Sequence, residues 1–191
     1  GFKDTSITRE EYIAAVNEDR LPELLNRVEV EPGDVFFIPA GTVHAICKGC
    51  YIAEIQQTSD ITYRIYDYDR RDKNGNPREL HTELATDVIN FCEQKQHSIH
   101  YHQHENHTEE LVSCNYFTTN YLKFDKEVEK DYIELDSFVI YMCLEGNFTL
   151  VYDVDKTVKV NKGETILVPA ILKNLFLIPE TEAEILEIYI R

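Results

Sequence analysis

A short pattern occurs twice in this chain, once in each half. The segment PGDVFFIPAGTVH at 32–44 aligns with KGETILVPAILKN at 162–174. Each copy has a glycine, an acidic residue, four apolar or small residues and then Pro-Ala. Because a repeat of this kind indicates one structural unit used twice, we expect two related β-rich units. The first copy ends in His44 where the second has Asn174, so only the first carries a histidine at this place.

Short runs rich in β-branched and aromatic residues, separated by turn residues, fill most of the chain. Their spacing is typical of a sandwich or a jelly-roll barrel, so the chain is predicted to be mainly β. A strong Asn-Gly turn signal within 70–79 closes the first set of runs. The predicted strands lie at 28–39, 41–46, 50–57 and 61–68, and then at 111–124, 136–153, 156–170 and 183–191.

Two segments have helical rather than β patterns. Residues 8–26 are predicted to be helical, because Thr8 and Glu11 have the spacing of a capping box and good helix formers follow. We expect this segment to form a helical insert, at 1–27, ahead of the first β unit. Residues 80–94 are predicted to form one amphipathic helix that connects the two units.

The charge of the chain restricts its partners. Asp and Glu outnumber Lys and Arg by 35 to 19, which gives a formal net charge of −16. Such a surface repels phosphate backbones and anionic lipids, and no apolar stretch approaches the length of a membrane span. We therefore expect neither nucleic acid nor membrane as a partner. An anionic small substrate is still compatible with the charge, provided that local arginines or lysines hold it.

The cysteines indicate a reducing compartment. The five of them form an odd, irregular set, and the sequence contains no secretory signal, so we expect reduced thiols and a cytoplasmic protein. Cys47 and Cys50 lie in the motif CKGC, which could be half of a zinc site or a redox pair. Its Lys-Gly centre favours a hairpin turn instead.

Four residues of the first repeat copy form the pattern G-x5-P-x-G-x2-H: Gly33, Pro39, Gly41 and His44. This pattern resembles the second conserved motif of the cupin superfamily. Pro39 and Gly41 are expected to break one strand, so that residues 42–44 start a new strand and direct an imidazole into the barrel. Neutral imidazole is a favoured ligand of zinc or iron. The alternative is a core histidine bonded to the backbone.

The next segment resembles a narrower family. The run YIAEIQQTSDITYRIYDYDR at 51–70, followed by RELH at 78–81, is similar to type I mannose-6-phosphate isomerase in its short bacterial form. This resemblance implies a cupin enzyme that interconverts mannose 6-phosphate and fructose 6-phosphate with one Zn²⁺ per intact active site. It also implies a small-molecule sugar phosphate as partner. The metal ligands would be His44 and a Gln, a His and a Glu from a segment upstream of Gly1.

The same resemblance assigns roles to four further residues. Arg64 matches the catalytic arginine of the family, and Glu54 and Asp60 match positions that line the active site. Arg70 falls where other members place a cation for the phosphate. Glu54 is a candidate for the general base, although an ion pair with Arg64 would explain its presence equally well.

The residues themselves give partial support to these roles. In EIQQTSDITYR at 54–64, most polar residues have even numbers, and Ile55, Ile61 and Tyr63 have odd numbers. An alternating strand would place the polar set on one face, which suits a sugar site. An ordinary solvated strand face would show the same alternation, so this observation alone leaves both interpretations open.

The order of these motifs predicts how the chain is divided. Residues 1–95 are expected to be the C-terminal part of a catalytic cupin, 96–110 a histidine-rich linker, and 111–191 a complete but degenerate cupin without metal. Because a cupin's first metal-binding motif should precede the second, we expect the chain to be part of a longer enzyme. A single imidazole binds Zn²⁺ weakly, so the 191 residues alone are predicted to be inactive.

Two other functions compete with the isomerase. A cupin with one histidine could be a non-catalytic sugar-binding or regulatory module. The segment HSIHYHQHENH at 97–107 suggests metal storage, but its polar composition indicates a solvated connection in which His100, His102 and His104 bind Zn²⁺ or Ni²⁺ weakly at most. Iron dioxygenases share the cupin fold but lack the run at 51–70.

Overall fold

A computed structural model describes residues 1–59, 61–68, 70–91 and 97–191, and it divides the chain into two compact units. Unit 1 contains most of the first half and unit 2 most of the second. The predicted mainly β class is confirmed, although nearly all of the strands lie in unit 2. Unit 1 comprises Gly1–Tyr51 and Thr58–Ser98, and unit 2 comprises Ile52–Gln57 and Ile99–Arg191.

Unit 1 begins with the helices that the capping box predicts. Helix α1 spans Arg9–Asn17, and its first turn is closed by Thr8. The Glu11 N–H donates to Thr8 Oγ1 at 3.2 Å, and the Thr8 N–H donates to Glu11 Oε2 at 2.9 Å. These two bonds satisfy backbone donors that a helix start would otherwise leave unpaired. Helix α2 spans Leu21–Leu24, with a proline in its first turn.

An apolar cluster holds unit 1 together. Its fully buried members are Phe2, Tyr12 and Leu21, and Val43 is almost as deeply buried. The ring of Phe91 stacks on Phe2 with their centroids 5.5 Å apart. Because two of these residues belong to α1 and α2, burial of aromatic surface fixes the helices against the chain around Val43.

The strands predicted between residues 28 and 68 are wrong. Apart from β1 at Val35–Phe36, the described residues of this region are extended or turn segments without strand pairing, including the one predicted to carry His44 into a barrel. Several of their apolar side chains are exposed, such as Ile61 at 67%. A strand forms only when a neighbour completes its backbone hydrogen bonds, and apart from the two residues of β1 these runs have no strand partner among the described segments. Local β propensity therefore predicted extended chain but not a sheet.

The helix predicted at 80–94 is also wrong over most of its length. Helix α3 spans only Thr82–Ala85 and is followed by a turn at 86–88. The Thr86 hydroxyl donates to Glu83 O at 2.6 Å, an i to i−3 bond that competes with continuation of the helix. Residues 92–94 of the prediction lie outside the described residues. Beyond this gap, the two-residue strand β2 spans Ser98–Ile99.

Unit 2 contains a seven-stranded antiparallel sheet. The strands form the order β3-β4-β9-β6-β7, while β5 pairs with β9 and β8 pairs with β6. Most of the predicted strands are confirmed, with β5 missed and β9 starting earlier than expected. The bounds are Thr108–Ser113 for β3, Thr118–Phe124 for β4, Val128–Asp131 for β5, Val139–Asp153 for β6, Lys156–Asn161 for β7, Thr165–Val168 for β8 and Asn174–Tyr189 for β9.

The two long strands organise this sheet. β9 pairs with β4 along its second half and with β5 along its first, and β6 lies beside it over most of its length. Bulges in β6 near Glu145 and Gly146 change the register and let the strand bend. The side chains that point inward from these strands form one apolar cluster, which includes Phe124, Tyr141 and Phe148. This cluster is the core of unit 2.

A polar network also lies inside unit 2, on strands β4, β5, β6 and β9. Glu187 is only 2% exposed, and its carboxylate lies 2.9 Å from Lys130 Nζ. Asn120 Nδ2 donates to Glu187 Oε2 at 2.8 Å, and the Tyr132 hydroxyl donates to Oε1. The hydroxyls of Tyr132 and Tyr141 are bonded to each other. A buried carboxylate with this many partners is expected to be ionised and structural.

The two copies of the repeat make the same backbone turn. In the first copy, the Asp34 N–H donates to Glu31 O at 3.1 Å, and Asp34 Oδ2 accepts the Glu31 N–H at 2.9 Å. In the second, the Glu164 N–H donates to Asn161 O at 2.9 Å, and Glu164 Oε2 accepts the Asn161 N–H at 2.8 Å. The acidic residue of the pattern thus closes the turn in both copies.

The remaining members of the pattern also correspond. Gly33 and Gly163 have φ values of 93° and 82°, in the left-handed region that favours glycine. A short strand follows each turn, β1 in one copy and β8 in the other, and the proline then starts a second turn. The sequence repeat is therefore a repeat of local structure. The second turns are closed by N–H to O bonds from Thr42 to Pro39 at 3.2 Å and from Leu172 to Pro169 at 3.0 Å.

Candidate active site

His44 lies directly after the second turn of the first repeat copy, and the chain on both sides of this turn is fixed. Gly41 has a φ of 85°, and its carbonyl accepts the Asn90 N–H at 2.9 Å. Val43, on the other side, belongs to the apolar cluster of unit 1. The imidazole itself is exposed. In this chain the ring is therefore bonded to the backbone but is not part of a buried core.

The orientation of the His44 ring suits a metal ligand. Its Nδ1 lies 2.8 Å from Thr42 O. Because a carbonyl oxygen only accepts, Nδ1 carries the hydrogen in this bond, and Nε2 of the neutral ring is left with a lone pair. Histidines that bind metals commonly use one ring nitrogen for the metal and donate the other N–H to a carbonyl or a carboxylate.

The other ligands of a complete metal site are not brought together in the described part of the chain. Among those residues, no three His, Cys, Asp or Glu side chains form a group that could hold a metal ion. A catalytic zinc site uses three protein ligands. His44 thus fits the role of one ligand, and it would need partners from elsewhere.

Arg64 is anchored by residues further along the chain. Its N–H donates to His81 Nδ1 at 2.9 Å, and its carbonyl accepts the His81 N–H at 2.7 Å. Its guanidinium Nη1 lies 3.4 Å from Glu79 O, and the side chain is half-buried. Ile65, the next residue, packs against the apolar cluster of unit 1. Both Arg64 and His44 are therefore adjacent in sequence to residues of that cluster.

An acidic residue that the sequence analysis did not select lies among the arginines of this segment. Asp67 forms a two-point ion pair with Arg78, in which Nε donates to Oδ2 at 2.7 Å and Nη2 to Oδ1. These hydrogen bonds hold the pKa of Asp67 below its usual range, and the charges of Arg64 and Arg70 act in the same direction. In a chain with a net charge of −16, this convergence of arginines creates a local cationic surface.

Arg70 lies at the edge of this cationic surface. Its guanidinium carbon is 5.7 Å from the centroid of the Tyr68 ring, within the range of a cation–π contact. The Arg70 N–H donates to Asp67 O at 3.0 Å. The side chain is exposed, so it can meet an anion from solvent.

The remaining predicted residues are Glu54 and Asp60. Glu54 is exposed and lies in the stretch Ile52–Gln57, which groups with unit 2 rather than unit 1. Asp60 lies outside the described residues. The polar strand face predicted for 54–64 is not formed, because the described residues of this run form no strand and apolar Ile61 is as exposed as its polar neighbours.

Comparison with known proteins finds relatives of this chain. The chain is 37% identical over 170 residues to mannose-6-phosphate isomerase ManA of Bacillus subtilis, a match that covers 88% of this chain and 53% of that protein. Mannose-6-phosphate isomerase of Streptococcus mutans is 49% identical over 79 residues, 41% of this chain and 24% of its own length. The crystal structure of mannose 6-phosphate isomerase from Bacillus subtilis superposes with a TM-score of 0.80 at 32% identity, over 96% of this chain and 57% of that one.

This chain is a homologue of the mannose-6-phosphate isomerases. The resemblance found in the sequence is therefore confirmed, and the cupin jelly-roll class with it. No family model matches the chain. The chain spans about half the length of the curated mannose-6-phosphate isomerases that it matches.

The histidine-rich segment of this isomerase homologue is not part of the candidate site. Of residues 97–107, only Ser98–Ile99 are in a strand, and most of the others are exposed. His104 Nδ1 lies 2.5 Å from Glu109 Oε1, and the rings of His102 and His104 are 6.2 Å apart. The segment joins none of the described groups into a three-ligand site. In the CKGC motif, Lys48-Gly49 form the predicted turn between free cysteines.

The position of Gly41 gives a first testable prediction. A Cβ added there would lie 2.6 Å from Val88 O, a backbone atom that cannot move aside cheaply. We expect Gly41→Ala to lower the free energy of unfolding of unit 1 by about 2–4 kcal/mol, from left-handed strain plus overpacking. Hydrogen exchange of amides in α1 would measure this change.

Gly49→Ala is the matched control for this variant. Gly49 has a similar φ of 95°, but an added Cβ would meet nothing within 4 Å. Its substitution should therefore lower the free energy of unfolding by about 1 kcal/mol, from backbone strain alone. Equal losses in the two variants would mean that the contact between Gly41 and Val88 does not hold the turn before His44.

Proposed function

We propose that the protein to which this chain belongs interconverts mannose 6-phosphate and fructose 6-phosphate as a zinc-dependent isomerase. The observation that carries the proposal is the superposition on mannose 6-phosphate isomerase from Bacillus subtilis over 96% of this chain at 32% identity. The ring orientation of His44 and the cationic surface around Asp67 support it independently of that likeness.

In this proposal, His44 would hold the metal through Nε2. The Thr42 carbonyl fixes the ring by accepting the N–H of Nδ1. A bound Zn²⁺ would polarise the sugar oxygens at C1 and C2 and lower the cost of the charge that develops there. We propose that the other ligands come from a segment outside these 191 residues, as the family resemblance implies.

The chain's own side chains have separate tasks in this reaction. Arg64 would hold the enediolate oxygen that becomes negative, because its guanidinium stays charged and can donate two parallel bonds. Glu54 would carry the proton between C2 and C1, and Asp60 would line the substrate site. Arg70 would bind the phosphate group at the exposed edge of the cationic surface.

The two units are proposed to differ in function. We assign residues 1–95 to the catalytic cupin and 96–110 to a linker. Residues 111–191 form, in this proposal, a structural cupin without metal. The polar groups inside unit 2 support the assignment of a cupin without metal. The carboxylate of Glu187 is already bonded to Lys130, Asn120 and Tyr132.

The compartment is proposed to be the cytoplasm. Cys47, Cys50, Cys114 and Cys143 are all free thiols, which a reducing compartment preserves. In the described part of the chain, no helix is both long and apolar enough to cross a membrane.

The proposed activity is tested by assaying two forms of the protein with mannose 6-phosphate. A longer form that contains this chain together with the remaining metal ligands should produce fructose 6-phosphate, and a zinc chelator should abolish the product. The 191-residue chain alone should show no turnover, because His44 by itself holds Zn²⁺ weakly. Turnover by the short chain, or a longer form that is inactive with zinc present, would contradict the proposal.

A non-catalytic sugar-binding or regulatory cupin is the second candidate. The observation that favours it is that the described residues bring together no three metal-binding side chains. The same assay separates the two functions. Binding of mannose 6-phosphate by the longer form without conversion would support the binding module.

A further inference from the structure

The backbone N–H and carbonyl of Arg64 are both hydrogen-bonded to one residue. His81 accepts the Arg64 N–H through its ring Nδ1 at 2.9 Å, and its own N–H donates to Arg64 O at 2.7 Å. The two residues are 17 positions apart. Sheet pairing normally satisfies such groups, but the described residues around Arg64 are not part of a strand. His81 therefore takes the place of a neighbouring strand at this point.

The first of these bonds determines where the proton of the ring lies. A backbone N–H can only donate, so Nδ1 of His81 must offer a lone pair. The ring is consequently neutral, with its hydrogen on Nε2. The imidazole lies edge to face against Tyr63, with centroids 6.1 Å apart and planes at 77°, and this contact restricts its rotation.

Helix capping does not explain a histidine here. His81 is the residue before α3, a position where Ser, Thr, Asp and Asn are preferred because their side chains cap the helix. The His81 side chain makes no capping hydrogen bond to α3. Its backbone carbonyl accepts the N–H of Ala85 at 2.9 Å, and Ala85 is buried. The ring is thus free of its own helix and is directed to Arg64.

We propose that His81 is a positioning residue for Arg64. It fixes the backbone of Arg64 to the start of α3, so that the guanidinium is held where the reaction requires it. This inference rests on the proposed function, in which Arg64 acts on the substrate. A displacement of about 1 Å in a group that contacts the reacting atoms can reduce turnover about a hundredfold, so a fixed backbone is valuable there.

Two substitutions at His81 distinguish the effect of the hydrogen-bond acceptor from the effect of the ring's shape. His81→Asn keeps an acceptor near the place of Nδ1, whereas His81→Phe keeps a flat ring and removes the acceptor. In the form of the protein that shows isomerase turnover, we expect kcat to fall about ten- to hundredfold in His81→Phe, with KM changed less than about threefold. His81→Asn should recover most of this loss.

Nuclear magnetic resonance tests the contact itself in the 191-residue chain. The ring nitrogens of His81 should show a neutral imidazole with hydrogen on Nε2. The Arg64 amide should be protected from exchange in wild type and in His81→Asn, and exposed in His81→Phe. A ring with hydrogen on Nδ1 would overturn the proposal, and so would a His81→Phe variant with wild-type kcat.

These outcomes are distinguishable from failure of the proposed function. If the wild-type longer form does not convert mannose 6-phosphate, the isomerase assignment fails, and with it any catalytic meaning of the contact. If wild type turns over and His81→Phe does too at the same rate, only the role of His81 is overturned.

Discussion

Replacement of Arg64 by alanine is expected to lower kcat for mannose 6-phosphate about a hundred- to thousandfold, the loss typical of removing one donor to a developing negative charge. Arg64 is half-buried and its backbone is bonded to His81, so the substitution removes a charge whose attachment to the fold is fixed. Steady-state kinetics of the longer, active form would measure this loss. KM should change far less than kcat.

Two further variants make this result specific to Arg64. Arg64→Lys keeps the charge but not the planar fork, so it should restore only part of kcat. Arg9→Ala removes an exposed arginine of unit 1 whose ion pair with Asp87 is 2.7 Å long, and it should leave turnover within about twofold of wild type. An Arg64→Ala variant that folds normally and retains kcat would contradict the proposed role.

The largest effect on stability is expected from Glu187→Ala. This substitution leaves Lys130 as a buried charge without its carboxylate, and it removes the acceptor of Asn120 and Tyr132. Breaking a buried pair in this way costs about 3–5 kcal/mol. Hydrogen exchange of the β6 amides should report this loss as faster exchange throughout unit 2.

An exposed ion pair on the same sheet is the control for Glu187. Lys159 and Glu180 are bonded, and both side chains are more than half exposed. Lys159→Ala should cost less than about 1 kcal/mol. Similar losses in the two variants would show that the interior network contributes no more than a surface pair.

The same network predicts how unit 2 responds to acid. Burial opposes ionisation of Glu187, but Lys130 and the hydrogen bonds from Asn120 and Tyr132 outweigh it and lower the pKa of this carboxyl. The ionised form is therefore favoured by folding. Its contribution is complete above the unfolded pKa of about 4.3 and is lost as the pH falls through the lower folded pKa. The acid dependence should be weaker in Glu187→Gln.

Unit 2 was largely predictable from the sequence because its strands find their partners within the chain. The runs at 136–153 and 156–170 correspond to β6, β7 and β8, and β7 and β8, which follow β6 closely in sequence, both pair with it. β5 was missed because Val128–Asp131 contains three charged residues, and its pairing with β9 rather than its composition makes it a strand.

The first half was predicted less well for the opposite reason. Runs such as 61–68 have the composition of strands, but sheet formation depends on a neighbour, and none of the described segments supplies one. The repeat was a better guide than propensity. Its glycine, acidic residue and proline form local turns that need no distant partner, and both copies contain them.

In the candidate site, too, local features could be predicted from the sequence and distant contacts could not. His44 could be selected because Gly33, Pro39 and Gly41 are local in sequence, and their turns are confirmed. The contact of Arg64 with His81 could not be predicted from the sequence. A backbone N–H bonded to a ring nitrogen 17 positions away produces no periodic pattern. Asp67 was overlooked although a carboxylate among arginines was visible in the run at 64–78.

The central claim is that His44 holds the metal on which isomerisation depends. Zinc content and turnover of mannose 6-phosphate should be measured together on the wild-type longer form and on His44→Ala. We expect wild type to contain zinc and to be active, and the variant to lose both while unit 2 keeps its exchange protection. A His44→Ala protein that retains zinc and isomerase activity would contradict the account.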